Sequence, residues 1–230
     1  MNYIEELINS VFSDVGVYNA IVVTFKMAIC STLISSVLGI TLGLLLEHFN
    51  FPGKKIVVRI NRTLMGVPPV VVGLFVYMLI MRRGPLGSLE LLFTIKGMIL
   101  AQTLIITPII CGMTYSYAVI AAPAIRVFAK TMGATKWQTA VLMLKEMKYE
   151  IYFAVISGFG RSISEVGAVM LVGGNIKGHT RTMTMTIALL KSQGIFHEGM
   201  ALGILLLVMA FVIQTLADFF RKEARNGENF

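Results

Sequence analysis

Arg161 and Glu165 interrupt an apolar segment that is otherwise long enough to cross a membrane, residues 151–172. Residues four apart share a face of a helix, so the two side chains can pair. A charge at membrane depth costs about 2.5 to 3.5 kcal/mol on insertion scales, so the pair should face a helix bundle or a water-filled cavity. Ser162 and Ser164 add hydroxyl groups near the same level. Two interpretations stay open: an ion pair that orients two helices, or a pair that lines or gates a translocation pathway.

A second polar cluster follows in residues 173–186, which are rich in glycine and threonine. Arg181 supplies a cation, Thr182 and Thr184 supply hydroxyl donors, and the segment contains no carboxylate. Such a set suits a tetrahedral oxyanion, and glycines let backbone N–H groups converge on it. The alternative is an external loop of small polar residues. Because Glu165 would repel an anion, we assign it to structure or gating.

Residues 121–148 separate two very apolar segments and carry five Lys/Arg and the only Trp of the chain. The pattern predicts two short helices: Gly133 ends the first, and Thr135 with Gln138 has the form of a capping box that starts the second. Apolar residues at helical spacing line one side of this elbow: Ile125, Phe128, Ala129, Met132, Trp137, Val141 and Leu144. The other side is basic. Such an elbow either lies on the membrane surface or docks into a groove of another protein.

The composition excludes an ordinary soluble domain, because 56% of the residues are hydrophobic and only 14% are charged. It indicates an all-α integral membrane protein in contact with lipid, and 230 residues have room for five or six spans. The net charge of +8 comes from short loops between apolar runs, so it reflects membrane topology rather than binding to nucleic acid. Cys30 and Cys111 lie within apolar runs, which indicates neither a disulfide framework nor a metal site.

The apolar runs predict five spans, at 17–46, 63–81, 97–119, 151–172 and 199–217. Residues 1–17 predict an amphipathic helix at the membrane interface without a cleaved signal, and whether this helix also spans stays open. With the N-terminus outside, the inner loops and tail carry twelve Lys/Arg and the outer ones six. The positive-inside rule therefore places the 121–148 loop and the C-terminus in the cytoplasm.

The run Ala129-Lys130-Thr131-Met132-Gly133-Ala134-Thr135-Lys136-Trp137 resembles the cytoplasmic EAA loop of ABC-importer permeases. The resemblance implies a type I permease fold in which residues 121–148 form a coupling loop that sits in a groove of the ATP-binding subunit. It assigns ATPase coupling to seven positions: Arg126, Ala129, Lys130, Gly133, Ala134, Thr135 and Trp137.

Four further motifs occur in the order found in molybdate, tungstate and sulfate permeases. They are Phe51-Pro52-Gly53-Lys54, Val67-Pro68-Pro69-Val70-Val71-Val72-Gly73, Arg82-Arg83-Gly84-Pro85-Leu86-Gly87 and Arg161-Ser162-Ile163-Ser164-Glu165-Val166-Gly167-Ala168. Residues 174–182 most resemble the tungstate branch. This resemblance implies that residues 1–230 form one permease domain of a homodimer in a prokaryotic inner membrane, with an external oxyanion-binding protein. ATP and Mg would be bound by the partner ATPase, with no cofactor in this chain.

Within that family, the pathway or gate residues would be Arg161, Ser162, Ser164, Glu165, Arg181, Thr182 and Thr184. The sequence does not separate tungstate from molybdate or sulfate. A channel or an ion-gradient-driven transporter is the main alternative, because both also use apolar spans and broken helices. An intramembrane enzyme is disfavoured, since the chain has no HExxH or GxSxG motif and its three histidines lie far apart.

Overall fold

The computed structural model describes residues 15–226, and the regular structure in this range is entirely helical. The α-helices, in chain order, are α1 Val15–His48, α2 Lys54–Met65, α3 Pro69–Ile80, α4 Ile95–Thr131, α5 Lys136–Glu146, α6 Lys148–Ser164, α7 Gly167–Gly173, α8 Met183–Ser192 and α9 Phe196–Asn226. A short 3-10 turn, Gly87–Leu89, lies between α3 and α4. The amphipathic helix predicted at 1–17 falls outside the described residues except for its last three positions, which belong to α1.

Three helices are long and apolar enough to cross a membrane by themselves: α1, α4 and the first twenty residues of α9. Two more spans arise if α2 with α3, and α6 with α7, are each counted as one broken span. The two helices of the first pair are bent by 103° and those of the second by 59°. The runs predicted at 63–81 and 151–172 therefore correspond to parts of bent pairs rather than to straight helices.

The first bend has a covalent cause. Gly66 is the C-terminal cap of α2, and Pro68 precedes α3 with an extended ψ of 126°. Proline lacks the N–H that would continue the helical ladder, and its ring disfavours helical backbone in the residue before it. The helix therefore stops at Met65 and restarts in a new direction at Pro69.

The centre of the bundle is the contact between α1 and α4. A Cβ atom added to Gly39 would lie 2.8 Å from Cβ of Ile110, and one added to Gly43 would lie 2.8 Å from the carbonyl oxygen of Cys111. Both positions therefore require glycine, and the two backbones pack closely as small residues allow in membrane helices. Ile110, together with Ile106, also packs against Ala154 of α6, so the three helices meet there.

The start of the elbow differs from the sequence prediction, which was wrong here. The sequence predicted a span at 97–119 and a separate short helix around residues 125–132, but α4 runs without interruption to Thr131. Pro108 and Pro123 lie inside this helix. Prolines are tolerated in membrane helices because neighbouring groups satisfy the freed backbone atoms. The first arm of the elbow is consequently the end of a spanning helix.

Candidate functional site

The elbow between α4 and α5 is built by local backbone chemistry. Gly133 has a φ of +67°, the left-handed conformation that lets the chain turn after α4. The backbone N–H of Gln138 donates to the Thr135 hydroxyl at 3.3 Å, and the N–H of Thr135 donates to the Gln138 side chain at 2.8 Å. This reciprocal pair is the capping box that the sequence predicts, and it fixes the start of α5.

The elbow is held against the bundle by its inner apolar face. Met143 and Met147 are buried and pack on Ala118 and Ala122 of α4. Ala129 is also buried, so its small side chain serves close packing rather than an outside contact. The outer side of the elbow contrasts with this face, because the Trp137 side chain is 77% exposed.

A cavity of about 610 Å³ lies between α5 and the ends of α1 and α4. Its floor is largely apolar, with Ile40 and Leu44 from α1 and Met143 from α5. Four of the seven positions assigned to coupling are in the wall of this cavity: Arg126, Lys130, Ala134 and Trp137. Gly133 and Thr135 lie beside it in the elbow turn. The elbow thus combines an apolar cavity with a basic rim.

Arg126 has a partner within the chain that the sequence does not predict. Its guanidinium forms an ion pair with the carboxylate of Glu47, and it approaches Nδ1 of His48 at 3.4 Å. The side chain of Glu47 is 9% exposed and that of Arg126 is 39% exposed. The pair ties the end of α1 to the last turns of α4. Glu47 directly follows the apolar run 17–46, and this position was the one sign in the sequence that it needs a cationic partner.

The second group of predicted residues lies at the break between α6 and α7. Glu165 is buried, and its carboxylate pairs with Arg161 at 3.3 Å. The other carboxylate oxygen accepts the backbone N–H of Ala168 at 3.2 Å, and the carbonyl of Glu165 accepts the Thr184 hydroxyl at 3.0 Å. The predicted pairing is therefore present, but the assumption of one helix face was wrong. Helix α6 ends at Ser164, and Glu165 is extended, with φ −75° and ψ 134°.

The two serines beside this break have different surroundings. Ser162 is buried, its hydroxyl shares a hydrogen bond of 3.1 Å with that of Ser31, and its carbonyl accepts the Gln102 side chain at 3.0 Å. It therefore joins α6 to α1 and α4. Ser164 is exposed, and its hydroxyl donates to the carbonyl of Arg161 at 3.1 Å.

The Thr-rich residues 180–186 are covered by the bundle and partly helical, whereas residues 176–179 just before them form an exposed turn. Thr182 and Thr184 are buried, and their hydroxyls lie 3.0 Å apart. Thr182 caps α8 by accepting the N–H of Met185 at 3.3 Å, so residues 183–186 form the first turn of a helix. Arg181 binds back to its own loop, with Nε 2.9 Å from the Asn175 side-chain oxygen and Nη2 3.1 Å from the Asn175 carbonyl.

The predicted residues thus lie in two sites at different heights of the bundle, the break between α6 and α7 and the elbow between α4 and α5. Arg161, Glu165, Thr184 and Thr182 form one hydrogen-bonded cluster, while Arg181 lies outside it on the Asn175 loop. Gln102 marks the height of the cluster on α4 and Arg126 marks the height of the elbow. At 1.5 Å per residue, the 24 residues between them correspond to about 36 Å. Any communication between the sites must therefore pass along the helices.

A bundle of spanning helices, two of them broken, with a short helix folded back at one end, is the type I permease fold of ABC importers. The chain superposes with a TM-score of 0.78 on a crystal structure of a bacterial ABC transporter involved in the import of the acidic polysaccharide alginate. That match covers 95% of this chain and 83% of the other at 20% identity, so it shows the fold alone.

The chain belongs to the family described as the inner membrane component of binding-protein-dependent transport systems, whose model matches residues 39–223. It is 41% identical to the tungstate uptake system permease protein TupB of Peptoclostridium acidaminophilum, over 91% of this chain and 92% of that protein. It is 34% identical to the TupB protein of Campylobacter jejuni, over 85% of each chain. The chain is accordingly a multi-pass inner-membrane transport component.

Proposed function

We propose that the chain is the permease subunit of an ATP-driven importer of tetrahedral oxyanions, with tungstate as its principal substrate. The observation that carries the proposal is the likeness to tungstate permeases over nearly the full length of both chains. Molybdate, with the same charge and almost the same size, is the second candidate. The family depends on a binding protein, and here that protein delivers the oxyanion from outside the membrane.

The elbow is the docking site for the ATP-binding subunit. Large apolar side chains on its outer side have no cover in this chain: Val127, Phe128, Met132 and Trp137 are each more than half exposed. Exposed apolar patches with a polar rim are typical of protein contacts. Lys130 and Lys136 line the 610 Å³ cavity together with Trp137, so cations border the patch on that side. A groove of the partner covers Trp137, and the partner binds ATP and Mg.

The transport cycle needs no covalent chemistry in this chain. ATP binding closes a pair of ATPase subunits, the elbow of each permease follows, and the spans rock between inward-open and outward-open states. The ATPase pair must bind one state more tightly than the other, because equal affinity would shift nothing. Two copies of this chain enclose one pore, with the N-terminus outside and the elbow and C-terminus in the cytoplasm.

The break at Glu165 gives the bundle a part that can move. The two arms of the broken span, α6 and α7, meet at a single extended residue whose side chain and carbonyl are both engaged. Helices that rock against each other keep their internal hydrogen bonds and change at such junctions. The cluster of Arg161, Glu165, Thr182 and Thr184 therefore lies at the gate.

Uptake by purified components tests the proposal. The permease is reconstituted into liposomes with its ATPase, with ATP inside and the tungstate-loaded binding protein outside. We expect tungstate to accumulate only when ATP, ATPase and binding protein are all present, with molybdate and sulfate competing more weakly. Tungstate uptake by this chain alone under an ion gradient would contradict the proposal and favour a secondary transporter.

A further inference from the structure

Helix α2 carries a row of basic residues that the transport cycle described above does not use. Lys55, Arg59 and Arg62 recur at intervals of four and three, so they share one face of the helix. The helix has no acidic residue and no buried residue.

The row faces an open groove of about 800 Å³. Its walls are α2, the preceding turn at Asn50 and Gly53, and Tyr115 of α4, and no carboxylate side chain is in the wall. Lys54 is already engaged, since its ammonium donates to the Glu47 carbonyl at 3.1 Å and the Asn50 side chain at 3.2 Å. Across residues 15–226, by contrast, no acidic side chain pairs with Lys55, Arg59 or Arg62.

The groove lies beside the part of α4 that the sequence predicts to span the membrane. The Asn61 side chain donates to the carbonyl of Pro108 at 3.2 Å, and a Cβ atom added to Gly112 would lie 2.4 Å from Sδ of Met65. Helix α2 thus crosses the membrane-spanning part of α4. Charged side chains at such a depth face a water-filled cavity or another protein group rather than lipid. The bend of 103° before α3 sets the direction of this crossing.

The groove also lies between the two sites already described. The hydrogen bond from Gln102 to Ser162 sets the height of the α6–α7 break on α4. Pro108 lies six residues, about 9 Å, further toward the elbow, and Tyr115 about 20 Å further. An anion that has passed the break and is leaving toward the elbow end therefore reaches the level of the basic row next.

We propose that this groove is an anion site on the exit side of the translocation pathway, and that Lys55, Arg59 and Arg62 receive the transported oxyanion there. The inference rests on the proposed function and extends it to a second site. Guanidinium groups fit the edges of a tetrahedral oxyanion with paired N–H donors, and the Tyr115 hydroxyl adds a neutral donor. Because the groove is open and its cations lie on one wall, it attracts the anion without enclosing it, as release requires.

A charge-reversed variant, Arg59→Glu with Arg62→Glu, tests the site in the reconstituted permease–ATPase complex. We expect the maximal rate of ATP-driven tungstate uptake to fall at least tenfold, with ATPase activity in the presence of loaded binding protein changed less than twofold. Thr63→Gln is the control: it changes an exposed polar position of the same helix outside the groove wall, and its neutral side chain cannot form an ion pair with Arg59 four residues away, so its uptake should stay within twofold of wild type. Arg59→Gln with Arg62→Gln replaces the reversed variant if that one does not assemble, with an expected loss of at least threefold.

The lipid composition distinguishes the transported oxyanion from a phosphate headgroup as the ligand. Uptake is measured in liposomes of phosphatidylcholine alone and in liposomes containing phosphatidylglycerol. An equal defect of the double variant in both supports an oxyanion site. A defect only with phosphatidylglycerol, or uptake equal to the Thr63→Gln control in both, would overturn the inference. ATP-dependent tungstate uptake by the wild-type complex tests the proposed function separately, because that measurement does not involve the variants.

Discussion

Glu165 shows how one side chain can hold a break in a spanning helix. One carboxylate oxygen pairs with Arg161, the other accepts the N–H of Ala168 in the first turn of α7, and the carbonyl accepts the Thr184 hydroxyl. The residue therefore joins both arms of the broken span to α8. A buried carboxylate is tolerated only when its acceptors are satisfied in this way.

Replacing this carboxylate should destabilise the fold. In Glu165→Gln the amide can keep the bond to Ala168, but an NH₂ group then faces the donors of Arg161. We expect a loss of about 1 to 2 kcal/mol, below the full value of a buried charged hydrogen bond because the Arg161 side chain is 39% exposed. Thermal unfolding of the detergent-solubilised protein measures it. Ser164→Ala, at an exposed hydroxyl, is the control, and an equal melting temperature for both variants would refute this account of Glu165.

At the scale of elements, the elbow depends on one residue that can turn the chain. Gly133 has a positive φ, and a Cβ atom there would meet nothing within 4 Å, so its requirement is conformational rather than steric. Gly133→Val should therefore misdirect α5 and lower ATP-driven uptake at least tenfold while membrane insertion is kept. Gly133→Asn is the matched variant, because asparagine tolerates the left-handed conformation. Uptake equal in the two variants would show that the turn does not set the coupling.

The two broken spans touch each other at a glycine. A Cβ atom added to Gly73 of α3 would lie 2.5 Å from Cα of Ala168 in α7, and backbone cannot yield as a flexible side chain can. Gly73→Val should separate α3 from α7 and reduce the yield of folded protein in size-exclusion chromatography at least fivefold. Gly203→Ala on α9, where a Cβ meets nothing within 4 Å, should leave the yield unchanged. A normal yield of Gly73→Val would mean that the contact is not required.

At the scale of the whole molecule, the sequence predicts what depends on local chemistry. The all-helical class follows from composition, the capping box at Thr135 from its spacing, and the Arg161–Glu165 pair from proximity along the chain. What it misses depends on contacts between distant segments. Glu47 can pair with Arg126 only because α1 packs on α4. The position of the basic row of α2 beside α4 follows only from the contact between Asn61 and Pro108.

Helix continuity also escapes local reasoning. The apolar run predicts an end to the third span near residue 119, yet α4 continues to Thr131. Met143 of α5 and its cap residue Met147 pack on Ala118 and Ala122, where the apolar run of α4 ends. The surroundings of the Thr-rich residues also depend on a distant contact. Their hydroxyls suggest donors to an oxyanion, which stays a prediction, and in the folded chain the Thr184 hydroxyl donates to the carbonyl of Glu165, nineteen positions away.

The central claim is that the elbow transmits motion from an ATP-binding subunit to the spans, and a crosslink at Trp137 tests it most directly. A photoreactive amino acid is placed at Trp137 in cells that also express the ATPase, and the irradiated membranes are analysed by mass spectrometry. We expect one main adduct with the ATPase, weakened or strengthened when a non-hydrolysable ATP analogue is added. The claim would be contradicted if no ATPase adduct formed and if a membrane-impermeant reagent, added outside intact cells, labelled a cysteine placed at position 137.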